Sequence, residues 1–115
     1  MAIQRLFVTK RESFNLEAQR MLQTLQQELS MPATDVTIYE RYDIENLDAK
    51  DLESAKNLIF SEPPVDTVLE EIPSVQGFVF AVEYVPGQYD QRADSAEQCI
   101  SMLTLTTGHT VRCAR

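Results

Sequence analysis

The sequence predicts an α+β domain of the ferredoxin-like class: two β-α-β units, an antiparallel sheet with helices on one face, and an extra helix in the connection. Three observations predict it. Short runs rich in β-branched and aromatic residues alternate with segments of 3.6-residue apolar periodicity. The two ends of the chain align with each other at an offset of 75 positions without a gap. The length, 115 residues with 43% hydrophobic and 24% charged, suits a single domain around a single core (1–115).

Ile3 to Thr9 reads as the first strand and ends at Lys10-Arg11-Glu12. Asn15 is placed to cap a helix, because its side-chain oxygen can accept from an N–H of the first turn. Ala18, Met21, Leu22, Leu25 and Leu29 then form an apolar stripe, and Met31-Pro32 ends the helix. Val36 to Asp43 reads as the second strand. Val36, Ile38 and Tyr42 share one face with Glu40, while Thr37, Tyr39, Arg41 and Asp43 share the other. One apolar and one polar face predict an edge or half-exposed position.

A second helix starts at Asp48, with Leu47 and Leu52 spaced as a hydrophobic staple. Leu52, Ala55, Leu58 and Ile59 make its stripe, and Pro63-Pro64 stops it. Val65, Val68, Leu69 and Ile72 fit either further helical turns or an extended crossover. Phe78 to Val85 is apolar on both faces with Glu83 its one charge, which predicts a central, doubly covered strand ended by Pro86-Gly87. A third helix runs from about Asp90 to Leu103, with Ala93, Ala96, Cys99, Ile100 and Leu103 inward. Thr106-Thr107-Gly108 is a turn, and Thr110 to Arg115 begins a fourth strand.

The offset of 75 sets Phe7 on Val82, Phe14-Asn15 on Tyr89-Asp90, and Ala18, Met21 and Leu25 on Ala93, Ala96 and Ile100. Val36 and Ile38 fall on Val111 and Cys113; Leu22 and Leu29 meet Glu97 and Thr104 and break the match. Strand, cap and stripe therefore recur in order, as a duplicated β-α-β unit requires. By this repeat the last strand should reach about residue 120, so the chain is expected to be the start of something longer.

The net charge of −8 speaks against nucleic acid or an anionic membrane as partner, because phosphate binding draws on Lys and Arg. No apolar run approaches the length of a membrane span, and no basic stretch followed by an apolar one marks a signal peptide, so a cytoplasmic location is expected. Cys99 and Cys113, with His109 the lone histidine, are too few for a structural zinc site and read as reduced, small apolar residues. Glu62, Asp66, Glu70 and Glu71 read as a solvated acidic loop rather than a metal or acid/base cluster. Gly77, Gly87 and Gly108 are scattered and form no phosphate-cradling loop.

Three segments carry a resemblance: Phe60-Ser61-Glu62-Pro63-Pro64-Val65-Asp66, the run Ala81-Val82-Glu83-Tyr84-Val85-Pro86-Gly87-Gln88-Tyr89-Asp90-Gln91-Arg92-Ala93-Asp94-Ser95-Ala96, and Tyr39-Glu40-Arg41-Tyr42-Asp43-Ile44-Glu45. Together they resemble the N-terminal domain of the long, single-chain phosphoribosylformylglycinamidine synthase (FGAM synthase). The opening Arg-Leu-Phe-Val and the Asn-Leu-Glu-Ala-Gln-Arg helix start resemble it too. The resemblance implies an ATP- and glutamine-dependent ligase of purine biosynthesis. In that enzyme a synthetase domain binds ATP and Mg²⁺, and a glutaminase domain makes ammonia.

It further implies that the N-terminal domain is similar to the small subunit of the multi-component enzyme, which forms dimers, and that its role is assembly. Its partners would be the synthetase and glutaminase domains of the same chain. No catalytic, cofactor-binding or metal-binding residue of the family carries over to these 115 positions, so the chain alone is expected to be inactive and to bind no cofactor.

Gln88 to Asp94 is the densest polar stretch. It reads both as a capped helix start, with Asp90 as cap and Asp94 favoured by the helix dipole, and as an interdomain docking surface. In the second reading Tyr89, Gln91, Arg92 and Asp94 contact the neighbouring domain, Tyr89 and Arg92 as anchors. Tyr39 and Tyr42 on the second strand join them as candidate interface residues. The alternatives are a free-standing regulatory module that binds a small metabolite at a homodimer interface, and a small enzyme built on the Asp, Glu and His set.

Overall fold

The computed structural model describes residues 3–74, 77–85 and 87–115. In chain order it contains β1 (Gln4–Lys10), α1 (Leu16–Gln23) with a π-helical extension Thr24–Glu28, β2 (Glu40–Glu45), α2 (Ala49–Leu58), β3 (Asp66–Leu69), α3 (Gln91–Thr104) and β4 (Thr110–Ala114). The strands form one antiparallel sheet in the order β3-β1-β2-β4. This is the α+β, ferredoxin-like class that the sequence predicts.

Alternation divides the sheet into two faces. Leu6, Val8, Ile44, Val111 and Cys113 are buried on one, where Leu52 and Ala55 of α2 and Ala93, Ala96 and Ile100 of α3 close over them. Leu6, Ile44 and Ile100 are the largest fully buried side chains. The other face is polar: Asp43 takes the Arg5 guanidinium through both oxygens (2.6 and 3.1 Å) and lies 3.6 Å from Arg41 Nε.

Helix boundaries follow local chemistry. Asp48 accepts from the Asp51 N–H (2.8 Å) and Asp90 from the Ala93 N–H (3.1 Å), so both expected caps form. Leu47 and Leu52 are both buried, as a staple requires. Leu105, at φ 58, ends α3 in the left-handed region, with its N–H on the Ser101 carbonyl (2.9 Å). Asn15 differs from expectation. It sits at the start of α1, but its Oδ1 accepts from the Gln19 side chain (2.8 Å), and it makes no cap bond to the backbone.

Three other expectations are corrected. The stripe of α1 is only partly inward: Ala18 is buried, Leu22 and Leu25 are half-buried, and Met21 and Leu29 are exposed. The cause for Leu29 is the π-helical stretch, whose wider turns advance less per residue and swing it out of line. Of the two readings left open for Val65 to Ile72, the extended one forms: residues 66–69 are a strand paired to β1, with Val8 opposite Val68. β2 starts at Glu40, not Val36, and lies inside the sheet between β1 and β4.

Phe78 to Val85 is not a covered central strand. It lies beyond β4, held by reciprocal bonds between Val82 and Arg115 (2.8 and 2.9 Å) and a bridge from Glu83 to Ala114. Phe78, Phe80, Val82, Tyr84 and Val85 are exposed. Apolarity on both faces marks a strand that wants cover on both sides without saying what supplies it. The expected terminator Pro86 lies outside the described residues.

The duplication is visible in the pairing. Adding the 78–85 segment gives β3-β1-β2-β4-(78–85), with β2 and β4 antiparallel in the middle. Exchanging the two β-α-β units leaves the order β1-β2-β4-(78–85) unchanged. The register corrects the gapless alignment by one residue, however. Val8 opposite Glu40 in the first unit matches Val82 opposite Arg115 in the second. Val82 thus corresponds to Val8 and not to Phe7; a slip of one would put it on the wrong face.

Candidate interface site

The site forms where the two units meet. Glu40 opens β2 on its core-facing side, and Arg115 follows β4 directly across from it. Arg115 holds Glu40 Oε1 through Nε (2.8 Å) and Nη2 (2.7 Å), and reaches Glu17 of α1 through Nη1 (2.8 Å). Arg92, in the first turn of α3, approaches Glu40 Oε2 (2.9 Å) and lies 5.2 Å over the Tyr42 ring. Tyr42 in turn packs against Phe60 with ring centroids 4.7 Å apart. Glu40 therefore ties its own unit to α3 and to the end of β4, and Arg115 carries the link on to α1 through Glu17.

The electrostatics favour permanent charge here. Burial works against the Arg92 guanidinium, but Tyr42 and Glu40 outweigh it and hold its pKa above the ordinary value. Hydrogen bonding to Glu40 does the same for Arg115. A guanidinium gives up no proton near neutrality, so the cluster is suited to pinning and recognition rather than proton transfer.

Beside it lies an open cavity of about 640 Å³, lined in part by Phe14, Ala18, Val36, Ile38, Tyr42 and Phe60 and by the charges of Lys10, Glu17, Glu40, Asp66, Arg92 and Arg115. On the other side of Tyr42 and Arg92 a shallower hollow of about 310 Å³ is bounded by Ile59, Phe60, Gln91, Ser95, Ala96 and Cys99.

Of the candidate interface residues, the structure brings Arg92 and Tyr42 together. Gln91 is exposed at the edge of the shallower hollow. Tyr89 is 69% exposed, and its Oη lies 3.2 Å from Asp94 Oδ2; desolvation and the Asp94 carboxylate raise its pKa. Asp94 also accepts from Gln98 (3.0 Å). Tyr39 lies apart, edge-on to Phe7 at 6.3 Å. Tyr42 is half-buried and packed on the core, so it is less open to a partner than its strand position suggests.

Residue type and spacing alone do not mark Glu40, Arg115 and Glu17 as site residues. The available signal was Glu40 itself: a lone charge on the apolar face of its strand needs a partner.

Neither a family model, a curated protein nor a solved structure matches this chain. Among the described residues, no group of three or more His, Cys, Asp or Glu is placed to hold a metal ion, and no helix is long and apolar enough to cross a membrane. The acidic residues of 62–71 disperse: Asp66 is buried against Lys10 (2.9 Å), and Glu70 pairs with Lys56 (3.2 Å). Both cysteines are free thiols, Cys113 buried and Cys99 half-buried.

Proposed function

We propose that this chain is an assembly domain of FGAM synthase, with no turnover of its own. It acts in the cytoplasm by holding the synthetase and glutaminase domains in register for ammonia transfer. ATP and Mg²⁺ belong to the synthetase part of such an enzyme. The observation that carries the reading is the duplicated frame: two β-α-β units side by side, locked by Glu40 between Arg92 and Arg115. It is the architecture a single chain needs to stand in for a dimer of small subunits. The sequence segments 60–66 and 81–96 supply the link to the family.

The test is Arg92→Ala in the long synthase that carries this domain, with Arg92→Lys beside it. Glutamine-dependent amidation is expected to fall, while amidation fed with free ammonia stays level. Lys keeps the charge but loses the planar stack on Tyr42, so it should restore only part. Equal glutamine- and ammonia-dependent rates in wild type and Arg92→Ala would overturn the reading. The open cavity favours one alternative, a regulatory module for a small metabolite. A ligand-induced rise in Tm of the isolated chain would move the assignment there.

A further inference from the structure

We propose that the outer edge of residues 78–85 pairs, about a two-fold axis, with the same segment of a second copy of this chain. This goes beyond the assembly reading and does not rest on it.

The argument starts from the correspondence of Val8 with Val82. In an antiparallel ladder, backbone groups point alternately to the two neighbouring strands. Val82 gives its N–H and carbonyl to Arg115, so the groups of Val79, Ala81, Glu83 and Val85 point the other way. In the first unit the equivalent edge of β1 is filled. β3 lies along it with Phe7 opposite Leu69 and Thr9 opposite Thr67, and the Arg11 N–H donates to the Val65 carbonyl at 2.7 Å. Among the described residues nothing fills the matching edge of the second unit. One half of a duplicated sheet thus carries an antiparallel strand where the other half offers a bare, apolar edge. Such an edge is a template for strand addition.

The segment itself supplies a fitting occupant. It is apolar on both faces, with Phe78 101%, Phe80 82% and Val82 63% exposed. Its one charge, Glu83, is already matched by Arg41 at 2.8 Å, so a second copy brings no uncompensated charge to the seam. A two-fold centred on Val82 pairs all four outward residues. Val79 then faces Val85 and Ala81 faces Glu83 of the second copy, and the two Glu83 side chains stay apart. Val82 meets its own image as a non-hydrogen-bonded pair, where side chains are closest. Pairing with the free edge of β3 instead would run head to tail and leave new edges at each end; the two-fold closes.

The experiment is light scattering on the eluting chain across a concentration series, with circular dichroism as a fold check. The expected mass is twice 13.1 kDa. Ala81→Pro removes an outward N–H and leaves the Val82–Arg115 bonds in place, and should return the monomer. In a Cys99→Ser background, Val82→Cys should form an intermolecular disulfide on oxidation, while Tyr84→Cys, opposite Phe80, should cross-link far less. The cross-link needs no proline variant to fold. A monomer at every concentration, a dimer indifferent to Ala81→Pro, equal cross-linking at 82 and 84, or a ladder of larger assemblies would each overturn the proposal.

Discussion

Asp66 is the buried charged residue among those described, 7% exposed, and its two oxygens do different work. Oδ2 accepts the Glu62 N–H at 2.8 Å and closes the turn that leads into β3; Oδ1 lies 2.9 Å from Lys10 Nζ. A hydrogen bond from a backbone N–H to a charged acceptor contributes about 1.5–3 kcal/mol. The ion pair contributes less, because the Lys10 side chain is 53% exposed: about 0–1 kcal/mol. Asp66→Ala should therefore cost about 2–4 kcal/mol. Asp66→Asn keeps an acceptor for the turn and should cost about 1 kcal/mol, and Lys10→Met under about 1.

Urea unfolding at pH 7, followed by circular dichroism, measures all three. If Asp66→Asn or Lys10→Met costs as much as Asp66→Ala, the pair and not the turn holds β3, and the reasoning fails. The pH dependence has a defined sign. The hydrogen bond to Asp66 raises the Lys10 pKa above 10.5, so the pair's contribution is full below 10.5 and is lost as pH rises through the folded value. The Lys10→Met variant should lack that alkaline loss.

Two further predictions are independent of it. Asp48→Ala and Asp90→Ala should each cost about 1 kcal/mol in the same assay, while Asn15→Ala should cost only a few tenths, because Asn15 serves a Gln side chain and no backbone N–H. Burial, reinforced by Asp90 and opposed by Arg92, pushes the Cys113 thiol up from 9.0 to about 12. At pH 8 iodoacetamide should thus label Cys99 well before Cys113, as read by peptide mass spectrometry. The stability tied to the Cys113 proton is full below 9.0 and is lost as pH rises from there through about 12.

What the sequence revealed, and what it hid, divides by range. Asp48 and Asp90 act within three residues of themselves, so their caps were legible; of the inward set expected for α3, Ala93, Ala96 and Ile100 are buried, Cys99 is half-buried and Leu103 is exposed. The repeat was legible too, because duplicated units keep their order of strand, cap and stripe. The neighbours of a strand are long-range facts. The mixed faces of β2 suggested an edge or half-exposed strand; it is interior, but five of its six residues are half-buried, and its polar face is served by an Arg5–Asp43–Arg41 ladder. Phe78–Val85 suggested the centre, because hydrophobicity reports a demand for contact and not who meets it. At the site, Arg92 and Tyr42 were found by residue type. Glu40 and Arg115, which join them, lie 75 positions apart and meet only through the β2–β4 register.

The wide turns at Thr24–Glu28 also have a genetic reading. Leu29 and Met31 reach back to Thr24 and Leu25 (3.2 and 2.8 Å), beyond the usual span of a helical rung, so the segment holds a surplus amino acid relative to an ordinary spiral. Deleting one codon there would let the rungs snap to regular spacing and bring the tail's leucine back in line with its fellows. That makes this stretch the natural place for the chain to gain or shed length without disturbing the sheet.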